Sequence, residues 1–169
     1  MGTVTSPEAL VLRWTEVIND PVLRNLPYKL ELNTSGKIEM SPANNRRGRL
    51  QALIAAELLR QLPRGTVINE ASFLTDIGVR VPDVGWCSPE FFHLHREVTP
   101  YPNAPEICVE IVSASNSVAE LQEKTRDYLA AAAKEVWQVS EKGAVRYYDL
   151  LGDTSASAFA VIVSLPPSA

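Results

Sequence analysis

Val79-Arg80-Val81-Pro82-Asp83-Val84-Gly85-Trp86 and Pro105-Glu106-Ile107-Cys108-Val109-Glu110-Ile111-Val112 decide how this chain is read. Both are β-branched runs, and each carries an acid where a core strand would take an apolar side chain. A carboxylate inside such a run is costly unless it is paired or coordinates a metal. Alternation along a strand puts Val81, Asp83 and Gly85 on one face, and Cys108, Glu110 and Val112 on one face. Pro82 cannot donate to a ladder, so Asp83 is expected at a sheet edge or a bulge. A long loop between the two runs allows the second strand to return beside the first. The two carboxylates then form a half-cage for a hard divalent cation. Magnesium suits such a site because it keeps several waters and needs few protein oxygens. Taken alone, Asp83 also fits a solvated strand end, and Glu110 fits a structural salt bridge with an arginine.

Working outward, Ser6-Pro7-Glu8 starts a helix over residues 7–18, and Asn19-Asp20-Pro21 stops it. Tyr28 to Leu32 and Lys37 to Met40 read as a hairpin around Asn33 to Gly36. Asn44 or Asn45 caps a second helix whose stripe is Leu50, Leu53, Ile54, Leu58 and Leu62. Thr66 to Thr75 and Val79 to Cys87 are expected as two strands of one hairpin around Asp76-Ile77-Gly78. Ser88 to Pro105 reads as a long loop with one helical turn at Glu90 to Leu94. Ser117-Val118-Ala119-Glu120 fits a capping box and opens a helix to about Ala133. Val136 to Ser140 and Val145 to Leu150 form another hairpin, and Ala158 to Leu165 is expected as an edge strand. The pattern predicts one α/β domain over 1–169, with a mixed central β-sheet flanked by helices. Its core spans about 28–150, with the N-terminal helix 7–18 and the C-terminal strand 158–165 outside it.

Composition narrows the function. The 169 residues are 46% hydrophobic and 21% charged, as in an ordinary globular domain, and the net charge is −4. Whole-surface attraction to nucleic acid is therefore excluded, and any such binding needs a local basic patch. The absence of a signal-like start makes the cytoplasm the expected compartment. Cys87 and Cys108 form no CxxC pair and read as reduced packing residues. No phosphate-binding glycine loop and no GxSxG elbow is present.

Three further groups bear on the acids. Lys124 falls between Leu121 and Tyr128 at the border of a helix's apolar stripe, so it can reach the strand ends, or cover apolar surface as a snorkelling lysine. Glu31, in the first hairpin, is a candidate accessory ligand or a solvated strand acid. Arg46, Arg47 and Arg49 crowd a helix N-terminus, where cations oppose the dipole. A phosphate or an acidic site nearby would offset that, and three solvated arginines are the other reading.

Pro82-Asp83, Glu110-Ile111-Val112 and Lys124 resemble the PD-(D/E)XK nuclease superfamily. More narrowly the chain resembles the bacterial Uma-two family of restriction endonucleases. The matching pieces are Leu30-Glu31-Leu32, Gly36 to Pro42, Val79 to Trp86, Pro105 to Val112, Glu120-Leu121-Gln122-Glu123-Lys124, Tyr128 and Val136-Trp137. The resemblance covers roughly residues 28–150. It implies a restriction-endonuclease-like fold and a Mg²⁺-dependent endonuclease acting on DNA, with Mn²⁺ as a possible substitute. Asp83 and Glu110 would hold the metal, and Asp83, Glu110, Lys124 and Glu31 would be catalytic. The superfamily lysine normally lies two residues after the glutamate, here Val112, so the resemblance implies its migration to Lys124. Arg46, Arg47 and Arg49 are candidate DNA-backbone contacts, and a homodimer is expected for double-strand cutting. Ser113-Ala114-Ser115-Asn116, Ala131 to Ala133 and Ser140-Glu141 depart from the family pattern at caps and turns. The alternative function is a nuclease-like module that binds nucleic acid or protein without cutting.

Overall fold

Thr66 to Cys87 makes one antiparallel excursion that is shared between two sheets. In a computed structural model describing residues 5–166, Glu70 to Ser72 and Val81 to Asp83 interrupt both arms of the expected hairpin. The elements, in order, are α1 (Pro7–Asn19), β1 (Tyr28–Leu32), β2 (Ile38–Pro42), α2 (Asn45–Gln61), β3 (Thr66–Asn69), β4 (Phe73–Thr75), β5 (Gly78–Arg80), β6 (Val84–Cys87), α3 (Pro89–His95), β7 (Ile107–Val112), α4 (Val118–Ala130), β8 (Glu135–Ser140), β9 (Val145–Asp149) and β10 (Gly152–Thr154). The two long strands expected around Asp76-Ile77-Gly78 are thus four short ones.

The first sheet has the order β2-β1-β5-β4, and the second β10-β9-β8-β7-β6-β3. The base of the excursion, β3 with β6, lies in the second sheet, and its tip, β4 with β5, lies in the first. Pro82 marks the crossing, which is where a residue without an N–H is tolerated. Of the sheet edge or bulge expected from its proline, the edge is not found: Asp83 sits inside the molecule, at the break between β5 and β6. Its N–H donates to the Val109 carbonyl at 2.9 Å, extending the antiparallel pairing of Val84 with Val109. β7 and β8 are parallel, and α4 supplies the crossover that parallel neighbours require.

The cores follow from this division. Leu50, Ile54 and Leu58 of α2 pack on Val84, Val109, Ile111, Trp137 and Val139 of the second sheet. Leu10, Trp14 and Val17 of α1 pack on Leu32, Val79 and Val81 of the first. Trp14 Nε1 also donates to Ser72 Oγ at 3.1 Å, at the crossing between β3 and β4. Both cysteines are buried thiols. The α2 cap is Asn44, whose side chain accepts the Arg47 N–H at 2.9 Å.

The expected strand over 158–165 is not formed. Ala160 takes φ 56°, outside the extended range, and the Ile162 backbone bonds the Gln61 side chain through both its N–H and its carbonyl. Val161 alone is buried there and joins the larger core. The last strand is instead β10, paired antiparallel with β9. The helix expected to run to Ala133 ends at Ala130, and Ala132 takes a left-handed φ of 79° beyond it. Glycine usually fills that position because a Cβ is strained there. Ala132→Gly should therefore raise stability by about 0.5–1 kcal/mol, the strain relieved less the added unfolded-state entropy, measured by urea unfolding.

Candidate active site

β1, α2, the turn into β6, β7 and α4 each send a charged side chain to the space between the sheets. Asp83 has no accessible surface. Its Oδ1 accepts from Lys29 Nζ at 3.0 Å and from Arg47 Nε at 2.9 Å, with Arg47 Nη2 also in contact. Its Oδ2 accepts the Ile111 N–H at 2.7 Å, so the side chain ties β7 where Pro82 turns the chain away. Glu110 Oε2 lies 3.4 Å from the same Lys29 ammonium, and its Oε1 accepts from Tyr128 Oη. Lys124 Nζ stands 2.8 Å from Glu31 Oε2 and 3.8 Å from Glu110 Oε1. Glu31 Oε1 accepts the Val81 N–H at 2.9 Å, which fixes it to the crossing strand.

The sequence candidates therefore separate. Asp83, Glu110, Lys124 and Glu31 meet in one buried cluster. Of the three arginines only Arg47 enters it. Arg46 pairs with Glu141 at 3.0 Å on the surface, and Arg49 is exposed. What offsets a cation at the α2 N-terminus is, for Arg47, the acid pair itself. Lys29 is a site residue that the sequence does not single out, and Tyr128, noted there only as part of the family resemblance, is a second. Lys29 precedes Glu31 by two on β1 and Tyr128 follows Lys124 by four on α4, spacings that place each on the same face as its neighbour. Behind them the buried Arg80 reaches Glu39 at 3.0 Å and Asp127 at 3.3 Å.

Burial would raise the Glu110 carboxyl, but the Lys124 and Lys29 charges, the Tyr128 hydroxyl and Arg47 outweigh it and hold Glu110 down at about 2. Burial and the Glu110 charge raise the Asp83 carboxyl from its ordinary value, against the pull of Lys29 and Arg47. Lys124 is desolvated too, yet Glu110 and Glu31 raise it above the ordinary lysine range. It is a fixed cation at neutral pH and serves as a hydrogen-bond donor, not as a base. Burial and Glu110 drive the Tyr128 hydroxyl well up, so it stays protonated and donates. Burial raises Asp127 to about 6 despite Arg80.

Two polar clefts open beside the cluster and adjoin at Met40, Ser41 and Glu120. One, of about 270 Å³, includes Arg46, Arg47, Ser113 and Asn116. The other, of about 320 Å³, includes Glu31, Arg80 and Lys124. Among the described residues no three His, Cys, Asp or Glu side chains converge as a metal-binding group. Two acid oxygens do converge: Asp83 Oδ1 and Glu110 Oε2 share one ammonium as partner. That donor set fits a small hard cation that keeps most of its waters.

Two sheets and flanking helices with an acid–acid–lysine cluster between them define a restriction-endonuclease-like α/β protein. A crystal structure described as that of a putative nuclease belonging to DUF820, from Anabaena variabilis ATCC 29413, matches with a TM-score of 0.65. It is 14% identical, and the match covers 78% of this chain and 83% of that one, so it speaks for the fold. The profile of the Uma-two family, described as putative restriction endonuclease, matches residues 14–157, and the chain belongs to that family. A search of curated proteins gives no match. Among the described residues no helix is long and apolar enough to cross a membrane.

A carboxyl held below its unfolded value stabilises the fold above that value and loses the contribution as pH falls. Wild type should therefore be more stable than Glu110→Gln near neutrality, and the gap should close as pH falls from about 4.5 toward about 2. Urea midpoints across that range measure it.

Proposed function

We propose that this protein is a metal-dependent endonuclease that hydrolyses DNA phosphodiester bonds, with Mg²⁺ as cofactor and Mn²⁺ as a substitute. The observation that carries the reading is the convergence of Asp83 Oδ1 and Glu110 Oε2 on one cation position, with Lys124 3.8 Å from Glu110. Asp83 and Glu110 would hold the divalent ion, which neutralises charge on the scissile phosphate and lowers the pKa of water there.

The chain's own residues account for the rest. Lys124 is permanently charged and directed by its 2.8 Å bond to Glu31. It stabilises the negative charge that develops on the phosphate oxygens in the transition state. Glu31 is a positioning residue for Lys124, and the Tyr128 hydroxyl does the same for Glu110. Arg47 lines the cleft that holds Ser113 and Asn116 and can donate to a phosphate there. Arg46 and Arg49 contact the backbone farther out, Arg46 by exchanging Glu141 for a phosphate. Each chain carries one such cluster, and a homodimer would supply the two sites that cutting both strands at once uses.

Plasmid cleavage at low salt with Mg²⁺ or Mn²⁺ tests this. Asp83→Asn and Lys124→Met keep the side-chain volumes and should each lower the rate by on the order of 10²–10³-fold. Equal cleavage by all three proteins would refute the assignment. For binding, Arg46→Gln with Arg49→Gln should reduce the slope of log K against log salt by about 2, one for each phosphate no longer neutralised.

A further inference from the structure

Lys29 stands where a cation would stand. Its ammonium lies 3.0 Å from Asp83 and 3.4 Å from Glu110, and its side chain is 4% exposed. Around it the acids Glu31, Asp83 and Glu110 are matched by the cations Lys29, Arg47 and Lys124. Farther out, Arg80 meets two acids, Asp127 and the half-exposed Glu39, a net negative charge that solvent screens. The six inner charges thus cancel before any metal arrives. A divalent ion added alone would leave two uncompensated positive charges in a largely buried space, which is strongly unfavourable. A phosphodiester and a hydroxide each bring one negative charge and restore neutrality.

We propose that Lys29 is the resident counter-cation of this site, so that a divalent metal binds weakly to the free protein and tightly only together with an anionic phosphate. Lys29 is a positioning residue: it holds the two carboxylates in register without the metal and sets the metal's affinity. Removing its charge leaves the cluster one negative charge in excess and favours the metal alone. Linkage requires the reciprocal effect, metal strengthening phosphate binding by the same factor that phosphate strengthens metal binding. The inference rests on the metal-dependent reading above.

Mn²⁺ binding followed by electron paramagnetic resonance tests it, with and without a short phosphorothioate duplex and with a duplex-only blank. Lys29→Met keeps the apolar stem and should bind Mn²⁺ at least about tenfold tighter than wild type without duplex, a change of about 1.4 kcal/mol. Lys29→Arg should stay close to wild type. The duplex should tighten Mn²⁺ binding to wild type and do so much less for Lys29→Met. Should Lys29→Met fail to fold without metal, Arg47→Gln removes the other cation on Asp83 and must show the same tightening. Unchanged or weaker Mn²⁺ binding by the neutral variants overturns the proposal. If wild type still cuts plasmid with Mn²⁺ in that case, only the role of Lys29 falls. If no protein binds Mn²⁺ and none cuts, the nuclease reading falls with it.

Discussion

Asp83 accepts four hydrogen bonds, from Lys29, twice from Arg47 and from the Ile111 backbone, and has no contact with water. Removing a partner from such a buried charge costs about 3–5 kcal/mol. The carboxylate therefore fixes more than its own position. It draws β1 of the first sheet, the start of α2 and the middle of β7 to one point. Glu110 and Glu31 extend the network to α4 through Tyr128 and Lys124. Two sheets that share only the interrupted Thr66–Cys87 excursion are in this way pinned along one line of charges.

The same arrangement sets what the site can do. Lys124, between two carboxylates, cannot give up its proton near neutrality, so its use is to donate and to attract negative charge. Lys29 bridges Asp83 and Glu110, and its charge offsets the repulsion between the two acids. The cluster opens on polar clefts at Arg47 on one side and at Lys124 on the other. An anion approaching from either cleft meets a cation already held by an acid. Membership of the Uma-two family agrees with a nuclease-type use of such a site. The net charge of −4 gives the surface as a whole no attraction for a polyanion.

Much of the fold was legible in local sequence. The ends of α1, the β1–β2 hairpin, the Asn44 and Ser117 caps and the β7 strand follow from cap chemistry and apolar spacing, which act within a few residues. The split of the Thr66–Cys87 hairpin was not legible, although Pro82 marked its place. Two strands that leave one sheet for another keep the same alternation of side chains, and nothing local says which sheet they join. The 158–165 segment has the β-branched composition of a strand, but Gln61 takes the Ile162 backbone groups that a strand would have used.

For the site, the sequence by itself determined which residues are anomalous: acids inside β-branched runs, a lysine at the border of an apolar helix stripe, arginines at a helix N-terminus. Each anomaly is visible because burying a charge has a cost that composition and period expose. Only the tertiary structure decided how those charges pair. Arg47 turns inward while Arg46 and Arg49 stay outside, and Lys29, 54 residues before Asp83 in the chain, supplies the cation between the two acids. Charge pairing depends on distances of a few ångströms between elements far apart in sequence. No pattern along the chain encodes those distances before the two sheets are brought together.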